Sequence, residues 1–296
     1  MVLGGADRLT EGAATLARRM NVPEIIIGLT IVAAGTSAPE FFVSLVSALK
    51  GTPGLAVGNV VGSNTMNAML IVGCAAMVAP MTISRSTVRK DIPFSVGASV
   101  LLFLLTIDSF LGRVDGILLL LGFAVFMYYT LSQAKVGKAA SVEDVKQVNP
   151  WLSAFYVLVG LVLLVAGSNL FVDAASRVAF ALDVSEGVVG LTIVAGGTSL
   201  PELATSVVAA RKGQSAIAIG NVIGSNVFNI LLILGTTALI SPMQIQGITM
   251  VDMGMMLGSV SLVWLFSYTR FTVERWEGAV LVVAYLIYLA WLLSNV

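Results

Sequence analysis

The chain has 296 residues and no net charge, with 16 basic and 16 acidic side chains; 57% of it is apolar, 11% is charged, and the mean hydropathy is +0.97. A soluble domain carries about 25% charged residues, so this composition points into a membrane and, with no basic excess, away from nucleic acid. Histidine is absent and Cys74 stands alone, which excludes His-based triads, an intramolecular disulfide framework and ordinary zinc sites.

In chain order, apolar stretches separated by charged punctuation predict helices over about 1–17, 23–49, 54–80, 92–107 and 114–132. The longest hydrophilic segment, 133–150, follows and carries Lys135, Lys138, Glu143, Asp144 and Lys146. Further helices are predicted over about 151–180, 186–210, 215–241, 247–267 and 276–294. The expected fold is all-α and polytopic.

The second half repeats the first. Gly28–Gly73 reads GLTIVAAGTSAPEFFVSLVSALKGTPGLAVGNVVGSNTMNAMLIVG, and Gly190–Gly235 reads GLTIVAGGTSLPELATSVVAARKGQSAIAIGNVIGSNVFNILLILG. The offset is a constant 162, and 27 of 46 positions are identical without a gap. Residues 1–132 and 151–296 therefore read as two five-helix repeats joined by a cytoplasmic linker, 133–150. Five is odd, so the second copy enters the membrane from the opposite side. If the connection holding Arg18 and Arg19 is cytoplasmic, alternate loops collect 12 of the 16 basic residues on that side. The positive-inside bias thus agrees with inversion, and inverted repeats with interrupted helices mark secondary transporters. The first copy has only Met1–Gly4 before Gly5, where the second has Trp151–Ala166 before Gly167. Its first helix is therefore expected to be incomplete, with about 12–18 apolar residues encoded upstream.

Two acids lie deep within spans. Glu40 and Glu202 each precede a lysine, Lys50 and Lys212, by ten residues, which puts them ~15 Å from a helix end and near mid-membrane. An ionised carboxylate costs at least ~2.5–3.5 kcal/mol there, so each should face a site rather than lipid. Both follow a breaker, Gly35-Thr36-Ser37-Ala38-Pro39 and Gly197-Thr198-Ser199-Leu200-Pro201. Proline frees the carbonyl four residues back, and free backbone at this depth is tolerated where it lines a cavity or ion site. The partner motifs are Gly58-Asn59-Val60-Val61-Gly62-Ser63-Asn64 with Asn67, and Gly220-Asn221-Val222-Ile223-Gly224-Ser225-Asn226 with Asn229. Their glycines read as helix packing, and their hydroxyl and amide oxygens as ligands. Carboxylates, carbonyls and amides together suit a hard cation, Ca²⁺ or Na⁺. Glu24 and Glu186 open their helices and serve the helix dipole, while Glu11 and Asp173 read as interfacial support. Trp151, Trp276 and Trp291 read as interfacial anchors.

The paired GTS-x-PE and GN-[VI]-[VI]-GSN-x-x-N motifs resemble the alpha repeats of the sodium/calcium exchanger family, within the cation/calcium antiporter superfamily. The resemblance implies ten transmembrane helices in two inverted halves, here with a truncated first helix, and exchange of Na⁺ for Ca²⁺. It also implies that the first and sixth helices slide as a gate. Carried onto matching positions, the ligands would be Ala33, Thr36, Ser37, Glu40, Ser63 and Asn67 with Ala195, Thr198, Ser199, Glu202, Ser225 and Asn229. The two glutamates and the threonine carbonyls would hold Ca²⁺; the hydroxyls and outer carbonyls would complete Na⁺ sites. Potassium-dependent relatives carry Asp in place of Asn229, and proton-coupled members carry GN-x-x-E, so K⁺-dependent or Ca²⁺/H⁺ exchange is the alternative. The transported ions and the lipid bilayer are the expected partners. No cofactor, no nucleic acid, no enzymatic reaction and no obligatory protein partner is implied, and the expected location is a prokaryotic plasma membrane.

Overall fold

A computed structural model describes residues 1–20, 22–136, 150–181, 195–245 and 247–294. Most of the expected 133–150 linker, together with Glu186, lies outside the described residues, as do the side chains of Trp151, Asp173 and Ala195.

The first half contains α1 (Val2–Met20), a broken pair α2 (Glu24–Thr36) and α3 (Ala38–Leu49), α4 (Pro53–Val78), α5 (Ile92–Leu105) and α6 (Arg113–Val136). The second contains α7 (Pro150–Ala181), the broken pair α8 (Ala195–Thr198) and α9 (Leu200–Arg211), α10 (Ser215–Ile240), α11 (Met250–Arg270) and α12 (Arg275–Ser294). Among the described residues α4, α6, α10, α11 and α12 are each long and apolar enough to cross a membrane, and α2 with α3 makes a sixth span bent by 46°. α6 runs four residues past the boundary expected at 132, because Gln133, Ala134 and Lys135 all favour helix once the apolar run has ended. α5 begins earlier than its apolar pattern, through a π-helical turn at Thr87–Asp91.

The breaks have a local cause. Ser37 (φ −82°, ψ 6°) and Ser199 (φ −88°, ψ 5°) leave the helical region, and Pro39 and Pro201 then sit in the first turn of α3 and α9. Proline is tolerated there because a first-turn N–H has no intrahelical partner in any case. Inside α4 and α10, π-helical stretches at Asn67–Ile71 and Phe228–Leu234 each insert an extra residue.

Four two-residue strands tie the loops together. β1 (Met81–Thr82) pairs antiparallel with β4 (Thr272–Val273), and β2 (Phe110–Leu111) with β3 (Met243–Gln244). The register Met81↔Val273 becomes Met243↔Leu111 when 162 is added to one residue and subtracted from the other.

Two close helix contacts position the interior. α10 presses on α2, since a Cβ at Gly224 would stand 2.8 Å from the Leu29 carbonyl oxygen and one at Gly220 3.0 Å from the Cα of Gly28. These two glycines pack as their pattern predicts. Gly58 and Gly62 do not find backbone among the described residues; only the Ile248 side chain comes near Gly58. α1 lies against α7 through Gly5 and Gly160, and Lys212 at the end of α9 adds an ion pair to Asp7 of α1 (2.6 Å). That pair is partly exposed and contributes little beside the backbone contact.

A Cβ at Gly160 would meet the Leu9 amide nitrogen at 2.6 Å and the Gly5 carbonyl oxygen at 2.8 Å. Gly160→Ala is expected to cost ~1–3 kcal/mol through overpacking, read as a lower unfolding temperature in detergent. Gly254→Ala, with nothing within 4 Å, is expected to be neutral or to stabilise by about 0.5–1 kcal/mol.

Candidate functional site: a central oxygen cluster

The two breaks meet in the interior. Glu40 and Glu202 are fully buried, each in the first turn of the helix that restarts after its break. A helix N-terminus carries positive potential and favours a carboxylate there. No basic side chain pairs with either acid among the described residues. Two buried carboxylates without a base are costly unless hydrogen bonds and a cation compensate them.

Hydrogen bonds across the halves supply part of that compensation. Ser37 donates to Glu202 Oε1 (3.0 Å), and Ser199 donates to Glu40 Oε1 (3.1 Å). Each acid is thus braced by the serine at the other half's break. Ser199 also reaches Ser63 Oγ (3.0 Å), and Ser225 donates to Glu202 Oε1 (3.4 Å). The second oxygens, Glu40 Oε2 and Glu202 Oε2, are buried and have no hydrogen-bond partner among the described residues.

The amides follow the same exchange. Asn67 donates to Asn226 Oδ1 (3.1 Å), and Asn229 donates to Asn64 Oδ1 (2.9 Å). With its NH₂ held by the opposite half, each ligand candidate leaves its carbonyl oxygen open: Asn67 Oδ1 and Asn229 Oδ1 are buried without a hydrogen-bond partner among the described residues. Asn64 is fixed in turn by donating to the Asn226 backbone carbonyl (3.1 Å).

Thr36 and Thr198 stand at the last turn of α2 and α8. Thr36 donates to Asn221 Oδ1 (3.0 Å) and Thr198 to Asn59 Oδ1 (3.4 Å). The Ala33 carbonyl accepts from the Ser37 amide (3.0 Å) and Thr36 Oγ1 (3.4 Å), so it is already engaged within its own break. Ala195 opens α8.

Of the residues expected to ligate, Thr36, Ser37, Glu40, Ser63, Asn67, Thr198, Ser199, Glu202, Ser225 and Asn229 are all buried together. The motif asparagines outside the expected ligand set have other duties. Asn59 and Asn221, Asn64 and Asn226 spend their amide groups on the protein, orienting other groups. Their repetition at the same offset marked them, but repetition alone cannot tell a ligand from its brace.

The family model described as sodium/calcium exchanger protein matches residues 1–132 and 152–294. The chain belongs to that family. A protein named as the putative antiporter CaxA of Alkalimonas amylolytica is 36% identical over 100% of this chain and 96% of its own. The sodium/calcium exchanger MaX1 of Methanosarcina acetivorans is 32% identical, covering 96% of this chain and 93% of its own. A structure of the sodium-calcium exchanger NCX_Mj soaked with Na⁺ and Sr²⁺ superposes with a TM-score of 0.87 at 31% identity, over 98% of this chain and 94% of that one. The chain is a member of this transporter family over essentially its full length.

Asn64→Leu would leave the Asn229 NH₂ without its acceptor and the Asn226 carbonyl without its donor. The expected cost is ~1–3 kcal/mol of stability, together with a smaller thermal stabilisation by added Ca²⁺; melting curves in detergent with and without Ca²⁺ measure both.

Proposed function

We propose that the chain is a secondary antiporter, not an enzyme, which moves Na⁺ and Ca²⁺ in opposite directions by alternating access through one central site. The observation that carries this reading is the set of four buried, unpartnered acceptors: Glu40 Oε2, Glu202 Oε2, Asn67 Oδ1 and Asn229 Oδ1. Two carboxylates and two neutral oxygens without a base are a donor set for a hard dication, which takes six to eight oxygens. The carbonyls of Thr36 and Thr198 would complete the Ca²⁺ shell. Ser37, Ser199, Ser63 and Ser225, with the Asn67 and Asn229 oxygens and the Ala33 and Ala195 carbonyls, would complete Na⁺ sites around it. A carbonyl has two lone pairs, so the Ala33 oxygen can accept within its helix and still face an ion.

Antiport follows from shared charge. An emptied site holds two uncompensated carboxylates in a medium of low dielectric, which is strongly unfavourable. Departure of one ion species therefore requires arrival of the other, and a Na⁺ gradient can drive Ca²⁺ uphill. Residues 1–132 and 151–296 act as the two inverted halves, joined by a cytoplasmic linker at 133–150. The exchange of the two strand pairs under the 162 offset, and of the Ser37–Glu202 bond with Ser199–Glu40 and the Asn67–Asn226 side-chain bond with Asn229–Asn64, supports that organisation. The loops rich in Lys and Arg face the cytoplasm, in the plasma membrane of a prokaryote.

Glu40→Gln and Glu202→Gln are each expected to abolish Ca²⁺ transport, since one charge is then left for a divalent ion in a poorly screened cavity. Counter-ion-dependent ⁴⁵Ca²⁺ uptake into proteoliposomes checks this; near-normal uptake by either variant at limiting Ca²⁺ would overturn the site. A second expectation concerns Asn229. With a neutral amide at that position, Na⁺-driven uptake should proceed in K⁺-free solutions on both sides. An absolute need for K⁺ would favour the potassium-dependent mode instead.

A further inference from the structure

The hydrogen bonds of Asn59 and Asn221 go to backbone and hydroxyl groups rather than to the carboxylate oxygens, and each amide is fully engaged. Asn221 donates its NH₂ to the Glu202 backbone carbonyl (3.3 Å) and to Ser206 Oγ (3.0 Å), both on α9, and accepts from Thr36 Oγ1 (3.0 Å) at the break of the other half. Asn59 repeats this with the Glu40 carbonyl (3.3 Å), Ser44 Oγ (3.0 Å) and Thr198 Oγ1 (3.4 Å). Both side chains are buried, at 3% exposure for Asn59 and 0% for Asn221.

An asparagine suits this place because it presents a donor pair and an acceptor on one short, planar group. Here the donors hold the helix that bears the acid, and the acceptor holds the broken end of the opposite half. The two asparagines therefore connect the backbone of Glu202 to Thr36 and the backbone of Glu40 to Thr198. Together they set where the two acids stand relative to each other and to the threonine turns.

We propose that Asn59 and Asn221 are positioning residues that hold Glu40 and Glu202 at the separation a divalent ion requires, and so set the preference for Ca²⁺ over Na⁺. The inference rests on the antiport reading of the central site. Its physical basis is that a dication is neutralised by both carboxylates at once, and its energy depends on their mutual placement. A monovalent ion is balanced by one carboxylate and tolerates a change in the distance to the other. Loosening the brace should therefore weaken Ca²⁺ binding more than Na⁺ binding, whereas general damage to the fold would lower the amount of active protein and leave the ratio alone.

The test uses the whole chain in proteoliposomes, with half-saturation measured for Ca²⁺ uptake and for Na⁺ as its driving ion. Ca²⁺ binding is measured separately by calorimetry in detergent. Asn221→Ala is expected to raise the Ca²⁺ half-saturation roughly tenfold, with a much smaller change for Na⁺. Thr36→Val removes the same cross-half hydrogen bond from its other end and should shift the ratio in the same direction; Thr36→Ser, which keeps the hydroxyl, should restore it. Combining Thr36→Val with Asn221→Ala should cost less than the sum of the two single effects, because both remove the one shared bond, while combining it with Asn59→Ala should be additive. If Asn221→Ala does not fold, Thr36→Val and its serine counterpart carry the comparison. Equal shifts for both ions, or a Ca²⁺ half-saturation unchanged in Asn221→Ala and Thr36→Val, would overturn the inference. Na⁺-driven uptake by the unaltered chain tests the antiport reading independently, so failure of the one is distinguishable from failure of the other.

Discussion

Two carboxylates buried in a membrane protein without a basic partner form the constraint around which this structure is arranged. Glu40 and Glu202 have no exposure, and neither joins an ion pair among the described residues. Such a pair is stable only if the protein supplies hydrogen bonds to part of it and a cation supplies the rest. Each acid has one oxygen bonded to a serine and the other left open. That division lets the site be firm without being filled.

Broken helices make the division possible. A continuous helix would use its backbone groups on itself and carry its side chains past the centre. Ending at Thr36 and restarting at Ala38 places three kinds of group within a few residues: a turn of carbonyls, a serine hydroxyl and a carboxylate in a first turn. The second half repeats the arrangement at Thr198 and Leu200. Irregular backbone at this depth is permitted because it faces protein and polar side chains rather than lipid.

Most of the contacts that complete the site run between halves, the bond from Ser225 to Glu202 being one made within a half. Serine to glutamate, asparagine to asparagine and threonine to asparagine each cross from one copy to the other. Gly220 and Gly224 bring α10 close enough to α2 for such short side chains to meet. Neither half could build the cluster alone, which is a physical reason for two copies of the same motif to persist in one chain. Outside the cluster, α1 and α7 meet through Gly5 and Gly160 with little side chain between them, so these two helices form a tight pair.

Much of this was legible in the residues. Composition and apolar runs determined a polytopic helical protein, because a membrane requires long apolar helices and little else produces them. The 162 offset determined two copies, and the position of each acid after Gly-Thr-Ser and before a distant lysine singled out the two carboxylates that the fold buries. Eleven of the twelve expected ligands have described side chains and all eleven are buried; ten of them are polar, because repetition and mid-span polarity both reflect the cost of polar groups in hydrocarbon. Tertiary structure alone decided which amides face the site. Asn59 and Asn67 are equally repeated and equally polar, but one turns its oxygen to a threonine of the other half and the other leaves its oxygen open. It also decided that the glycines of α10, rather than those of α4, make the close backbone contact among the described residues. The direction of an amide depends on a partner more than a hundred residues away, and no local pattern encodes where that partner will stand.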